Sequence, residues 1–260
     1  LSVMHPRNKY YNNAPNFEEL AALYPDFAAV YVPALSTTSS SSSTTTTSCS
    51  SDSKKRKRTV DFASPSSLLT LTKTLLLHDF NLKFDIPLNR LCPALTVRLN
   101  YLHWIEDLLA LAAHVSDDTN TTTNTNNNDN KTTSTPSSVC GLDIGTGASA
   151  IYPLLGCRLH DHWTFVATEV DAVSVAVACN NVKRNDLNQQ IHIMHVKPTS
   201  PILNVIATKQ FSFTMCNPPF FDVTKTLPLD TATGRSATAS ETVTSGGEVA
   251  FVNQMVEESA

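Results

Sequence analysis

The sequence lacks the features that would place it in several large classes. Its six cysteines (Cys49, Cys92, Cys140, Cys157, Cys179 and Cys216) include no C-x-x-C pair. Neither a zinc site nor a disulfide framework is indicated, and this usage suits a reducing compartment. No apolar run approaches the roughly 20 residues that span a bilayer, and the first residues lack the charged-then-apolar order of a secretory signal. The expectation is a soluble protein of the nucleus, the cytoplasm or both, with no membrane, no metal and no obligate protein partner. Net positive charge is missing too. The formal charge is −4, whereas nucleic-acid binders are typically basic. Lys54, Lys55, Arg56, Lys57 and Arg58 are five of the 19 basic residues and leave 14 against 23 acidic ones elsewhere, so any phosphate binding must be concentrated in a patch.

What is present divides unevenly. Ser36 to Ser53 are almost all Ser and Thr, and the stretch from about Ser116 to Ser138 is rich in Asn and Thr with no apolar pattern. Neither buries enough apolar surface to offset its ordering entropy, so both read as disordered inserts. They separate an amino-terminal extension (1–35), an insert with its basic run (36–58), a helical part (59–115), a second insert (116–138) and an α/β core (139–260). In the extension, Arg7, Lys9, Tyr10 and Tyr11 suit contact with a nucleic-acid backbone and its bases, and a mobile terminus would explain them equally well. The run Lys54 to Arg58 fits an RNA-backbone patch, a nuclear localisation signal or a solvated tail.

Asn16 predicts the N-cap of a short helix that stops before Pro25, and Ser64-Pro65 the start of a Leu-rich helix reaching His78. Another helix is expected from about Asn100 to His114, with Leu102, Ile105, Leu109 and Ala112 on one face, Glu106 and Asp107 on the other, and Arg98 just before it. No internal repeat is present.

From Val139 onward strands and helices alternate, which predicts a mostly parallel sheet with helices on its faces. The expected strands are Val139–Ile144, Thr164–Thr168, Ile191–Val196 and Phe211–Cys216, with a helix from Ala172 to Arg184. The first strand runs into Asp143-Ile144-Gly145-Thr146-Gly147-Ala148-Ser149, where glycines permit a tight turn and close approach of a ligand. The third glycine of a dinucleotide fingerprint is absent. Glu169 ends the next strand, 26 residues after Asp143, placed to accept hydrogen bonds from two ribose hydroxyls. That suits an adenosyl cofactor lying over the carboxyl ends of the strands. His160 and His162 have no third ligand nearby and are expected to face solvent. Residues 221–245 read as a mobile loop, with a helix beginning near Gly246-Gly247-Glu248.

The last expected strand ends in Asn217-Pro218-Pro219-Phe220. Asn217 offers a side-chain carbonyl, and Pro218 a backbone carbonyl with no N–H of its own. Two such acceptors can hold both hydrogens of a planar exocyclic amine while its nitrogen faces a methyl donor. Phe220 can stack on a base, a contact worth roughly 1–3 kcal/mol. The string resembles the active-site motif of amino-group methyltransferases that use S-adenosylmethionine, although two prolines after a strand also simply end it.

The residues together resemble one family in particular. Met4-His5-Pro6-Arg7-Asn8, Asp85-Ile86-Pro87-Leu88, Arg98 through Asp107, Gly141 through Ser149, Ala167-Thr168-Glu169-Val170-Asp171 and Cys216 through Phe221 are similar to the methyltransferase-like protein 16 and ribosomal RNA large-subunit methyltransferase F family of RNA adenine N6-methyltransferases. The resemblance implies a class I, Rossmann-like methyltransferase fold with a small helical amino-terminal RNA-binding extension. It also implies S-adenosylmethionine as cofactor, and N6 methylation of an adenosine in structured RNA: U6 small nuclear RNA in the eukaryotic branch, ribosomal RNA in the bacterial one. Carried over, Arg98, Asp143, Gly145, Thr146, Gly147, Glu169, Ser200 and Asn217 contact the donor. Asn217, Pro218, Pro219 and Phe220 form the catalytic turn, and the amino-terminal segment grips RNA. The family's loop has a lysine and a threonine where this chain has Thr199 and Ser200. The chain begins with Leu1, and four strands precede Ala260 where such a sheet has seven, so a carboxyl-terminally truncated fragment lacking the last strands is expected. Methylation of a protein glutamine amide, and an RNA-binding module without turnover, are the alternative readings.

Overall fold

The computed structural model describes residues 4–33, 58–119, 138–198, 200–203, 210–219, 221–222 and 237–259. Helices α1 (Phe17–Leu23) and α2 (Pro25–Val30) precede β1 (Tyr31–Pro33), which pairs antiparallel with β2 (Arg58–Val60). Asn16 caps α1 by accepting from the Glu19 N–H, and Pro25 opens α2 as its first residue, so the proline that stops one helix starts the next. Helix α3 (Pro65–Phe80) is capped by Ser64 and closed by Asn81 in the left-handed region, two residues beyond the predicted end.

Helix α4 spans Leu95–Thr119. It begins five residues before the predicted Asn100, so Arg98 lies within the helix rather than ahead of it, and it extends into the stretch assigned to the second insert. The boundary at 58 shifts as well: Arg58 belongs to β2 and holds its guanidinium over the Tyr31 ring, 4.8 Å from the centroid. Lys54 to Lys57 and the two low-complexity tracts up to 57 and from 120 to 137 lie outside the described residues, as does most of the expected 221–245 loop.

The core is a four-stranded parallel sheet in the order β5 (Ile191–His195), β4 (Trp163–Glu169), β3 (Val139–Ile144), β6 (Phe213–Cys216). Helix α5 (Ile151–Leu159) links β3 to β4 and α6 (Ala172–Lys183) links β4 to β5. Period-two alternation sorts the side chains between two faces. Phe165 and Met215 join Leu99, Leu102, Leu154 and Val182 in the main core on one face. Leu142, Ile144 and Val166 meet Phe251 and Met255 of α8 (Gly247–Ser259) on the other. The sheet is thus covered on both sides, as expected, in the class I arrangement. Two short strands, β7 (Phe221–Asp222) and β8 (Val243–Thr244), pair in parallel beside α7 (Ala239–Thr242).

The amino-terminal segment shares this core. Tyr10, Leu20, Phe27 and Tyr31 are buried with the α3 and α4 leucines. Asn100 Oδ1 accepts from the His5 backbone N–H at 2.9 Å and from Asn8 Nδ2 at 2.8 Å. Glu106, expected on the solvent face of α4, is largely buried and accepts from Arg7, His103 and His160 at 2.9 Å each. His160, expected in solvent, also stacks on Trp163. A carboxylate largely withdrawn from solvent is tolerated because three donors surround it.

Candidate functional site

Strand register builds the site. Ile144 lies opposite Thr168 in β4 and opposite Cys216 in β6. The next residue of each strand is therefore released at one level: Gly145, Glu169 and Asn217. The chain runs β3, β4, β5 to one side and then returns to place β6 on the other side of β3. Ligands of open α/β sheets bind at such a reversal, outside the carboxyl ends of the strands.

A cavity of about 430 Å³ occupies that position. Arg98, Gly145, Thr146, Gly147, Glu169, Ser200, Asn217 and Pro219 all line it, so most of the predicted residues converge. Gly145 (φ 68°) and Gly147 (φ 64°) occupy the left-handed region, and a Cβ on either would meet nothing within 4 Å. The glycines are required by backbone conformation, and the space above them is open to a ligand. The Thr146 N–H donates to the Thr168 carbonyl at 2.9 Å, tying the turn to β4.

Glu169 is almost fully buried, and its carboxylate is aimed by backbone donors. Gly147 N–H donates to one oxygen at 2.8 Å, and the N–H groups of Val170 and Asp171 donate to the other at 2.8 and 2.9 Å. Burial raises its pKa, and these three bonds oppose the rise. Each carboxylate oxygen retains capacity for a further donor.

Asp143 does not line the cavity. It is 1% exposed beneath the glycine turn, which corrects its assignment as a donor contact: a strand residue whose side chain points into the sheet face cannot also reach the cavity. Burial raises its carboxyl to about 7 against the opposing influence of Thr146 and the Arg98 charge.

Arg98 faces the site from α4. Its Nη1 donates to the Tyr152 hydroxyl at 2.6 Å and to Asn217 Oδ1 at 2.7 Å. Tyr152, in the first turn of α5, lines the cavity and is not among the predicted residues; its partners Arg98 and Tyr101 lie 54 and 51 positions away. Lys197, Phe251 and Gln254 also line the cavity without having been singled out. Thr146 Oγ1 and Arg98 Nε, on residues that line the cavity, are buried without a hydrogen-bond partner, as is Asp143 Oδ2 outside its lining. Pro218 is half-buried in the turn. Phe220, assigned to base stacking, and Thr199 lie outside the described residues.

The RNA-contact candidates are placed differently. Tyr10 is 6% exposed and donates to Asp79 at 2.7 Å, so it is packed in the core rather than presented to bases. Arg7 pairs with Glu106 at 2.9 Å and Asp107 at 2.7 Å, and Lys9 with Asp79 at 2.7 Å. Both cations keep about half their side chains in solvent. None of these three reaches the cavity. Among the described residues no group of three His, Cys, Asp or Glu side chains is arranged to hold a metal ion, and no helix is long and apolar enough to cross a membrane.

A family model described as RNA methyltransferase matches residues 1–260. The Xenopus laevis protein named RNA N(6)-adenosine-methyltransferase mettl16 is 34% identical over 271 residues, covering 98% of this chain and 42% of that protein. The Caenorhabditis briggsae U6 small nuclear RNA (adenine-(43)-N(6))-methyltransferase is 35% identical over 285 residues, covering 98% of this chain and 50% of that protein. The chain thus spans half or less of the length of these relatives. A crystal structure of the hMettl16 catalytic domain with a MAT2A 3′UTR hairpin superposes with a TM-score of 0.74 at 32% identity, covering 98% of this chain and 76% of that one. The amino-terminal domain of human METTL16 with SAH superposes at 0.69, also at 32% identity, covering 98% and 78%.

Proposed function

The chain belongs to the RNA methyltransferase family whose model matches it throughout, and from that premise we propose that it methylates the N6 amine of an adenosine in structured RNA, with S-adenosylmethionine as donor. U6 small nuclear RNA is the substrate we assign, as the RNA named for the nematode relative. The observation that carries the reading is one cavity shared by the glycine turn, Glu169 and the Asn217 turn.

The residues fit an adenosyl donor. Gly145 and Gly147 leave the floor open, and Thr146 Oγ1 and Arg98 Nε are buried polar groups still lacking partners. Glu169, preset by three backbone N–H groups, would take the ribose hydroxyls. Ser200, on the opposite lip, would contact the donor as well. The donor, when bound, supplies a methyl group on a sulfonium.

The reacting adenosine must leave its stack to reach the turn, which favours an unpaired nucleotide flanked by helix. Asn217 Oδ1 and the Pro218 carbonyl would then hold its two N–H groups, with Pro219 shaping the turn and Phe220 stacking on the ring. Positioning of this kind accounts for most of the acceleration, and the amine proton can leave after transfer, so no strongly basic side chain is required. Arg7 and Lys9 would hold RNA beside the site, and the run Lys54 to Arg58 would serve as an RNA contact or nuclear signal. We place the protein in the nucleus with its substrate.

The test is transfer of labelled methyl to total cellular RNA by the full-length protein, with Asn217→Ala as control and nucleoside digestion as readout. Label in N6-methyladenosine that vanishes in the variant supports the proposal. Label in a protein fraction, or donor binding with no label in any acceptor, would redirect it to amide methylation or to a binding role.

A further inference from the structure

A second concavity shares the two helices that build the site. α4 gives Arg98 to the first cavity and Leu99 and His103 to the second; α5 gives Tyr152 to the first and Arg158 and Leu159 to the second. The second is an open cleft of about 450 Å³, closed on its far side by Arg7, Lys9 and His78. Six helical residues separate Tyr152 from Arg158, a rise of roughly 9 Å. A chain threaded past the reacting site could therefore run into the cleft within a few nucleotides.

Its charges are unequally matched. Among the described residues the carboxylate on its wall is Asp79, and that group already accepts from Lys9 and from the Tyr10 hydroxyl, at 2.7 Å each. Arg7 is held by Glu106 and Asp107. Arg158 has no ion pair or hydrogen bond among the described residues, and its Nε is buried without an acceptor. A guanidinium presents a planar fork of donors that matches a phosphate group through two parallel bonds. Lys9 and Arg7 are thus already answered by carboxylates, whereas the Arg158 guanidinium has no such partner among the described residues and can take an anion from outside. A chain of net charge −4 needs its phosphate contacts gathered in such a place.

We propose that this cleft is a phosphodiester subsite, anchored by Arg158 and flanked by Lys9 and Arg7, that grips the RNA backbone beside the reacting adenosine. The proposal rests on the RNA reading above. Free inorganic phosphate has the same recognition chemistry, so the experiment must separate the two sources.

The experiment compares wild-type full-length protein with Arg158→Gln and Arg158→Lys. Affinity for a fluorescein-labelled hairpin RNA with an unpaired adenosine is measured across salt concentrations. Arg158→Gln should weaken binding about tenfold at low salt and flatten the log–log salt slope by about 0.7–0.9, the signature of one lost phosphate contact. Donor affinity, the turnover rate at saturating RNA and the melting temperature should hold, because Arg158 does not line the donor cavity and has no hydrogen bond or ion pair among the described residues to lose. Arg158→Lys should restore the slope and part of the affinity. Unchanged RNA affinity and slope in Arg158→Gln would overturn the subsite while leaving the methyltransferase reading intact. Thermal stabilisation by inorganic phosphate that Arg158→Gln loses, with RNA affinity unchanged, would assign the cleft to free phosphate and overturn it too. A wild-type protein that binds no hairpin would sink the RNA reading and the subsite with it.

Discussion

Arg98 Nη1 donates to Asn217 Oδ1 at 2.7 Å, joining α4 to the turn after β6 across 119 positions of sequence. A guanidinium offers donors only, so the bond fixes which end of the Asn217 amide faces the cavity. The oxygen retains a second lone pair for an incoming amine. Arg98 is in this sense a positioning residue for the turn, besides lining the cavity itself. Replacement by Lys keeps the charge and loses the planar, rigidly aimed Nη1 that serves Tyr152 and Asn217 together. Arg98→Lys should lower turnover by roughly 10²-fold through misplacement of the amide and weaken donor binding less. Steady-state kinetics beside calorimetric titration of the donor checks this, and equal losses in both would contradict it.

Asn217 and Glu169 should separate in the same pair of measurements. Asn217→Ala removes an acceptor for the amine and should cost at least about 10²-fold in turnover while donor affinity stays within a few fold. Glu169→Ala removes the ribose acceptor and strands three backbone N–H groups, so donor affinity should fall about 10–100-fold. Equal loss of donor affinity in the two variants would end this division of labour.

Much of this arrangement was legible in the sequence and some was not, for definable reasons. Asn16 and Ser64 announced their helices because a cap acts on N–H groups three residues ahead. Gly145, Glu169 and Asn217 could be aligned because each follows an apolar run of strand length. The start of α4 was missed because Leu95-Thr96-Val97 carries two β-branched residues, and packing of Leu95 and Leu99 in the core overrides that local preference. Tyr152 and the burial of Glu106 could not be read, since Arg98 lies 54 positions from Tyr152, and His160 and Arg7 lie 54 and 99 positions from Glu106. Asp143 was read as a ligand contact because a strand-end acid before a glycine turn has the same sequence whether it points up or down.

Asp143 carries a pH signature. Burial raises its carboxyl to about 7, above the roughly 3.9 of an unfolded Asp, so the folded state binds the proton more tightly. Its contribution is present below pH 4 and is lost as pH rises toward 7, with a slope of up to about 1.4 kcal/mol per unit. Asp143→Asn should abolish that slope, leaving the variant as stable as the wild type near pH 4 and more stable at pH 8. Urea unfolding across that range decides it.

Glu106 should act in the opposite direction. Burial alone would raise its pKa, but bonds from His160, His103 and Arg7 outweigh it and hold the carboxylate at about 2. An acid depressed in the folded state stabilises above its unfolded value, near 4.3, and that stabilisation is lost as pH falls toward 2. Glu106→Gln should cost about 1–3 kcal/mol at neutral pH, with solvent at the rim of the cluster favouring the lower figure. Acid titrations of wild type and variant should converge near pH 2.

Gly141 tests the sheet alone. A Cβ there would sit 2.5 Å from the Phe213 ring and 2.8 Å from that of Phe165. Gly141→Ala should therefore cost about 1–3 kcal/mol through overpacking, read as a lowered urea midpoint. Donor affinity should be retained, since the strand end that carries the site lies three residues on.

The short β1–β2 ladder has a practical meaning beyond its size. It sets Pro33 opposite Arg58, so two positions 25 residues apart in the sequence are held side by side. When both ends of a connection are clasped, lengthening it adds only about 0.6 kcal/mol per doubling. An affinity tag inserted between Pro33 and Arg58 is consequently expected to leave the melting temperature close to that of the parent protein.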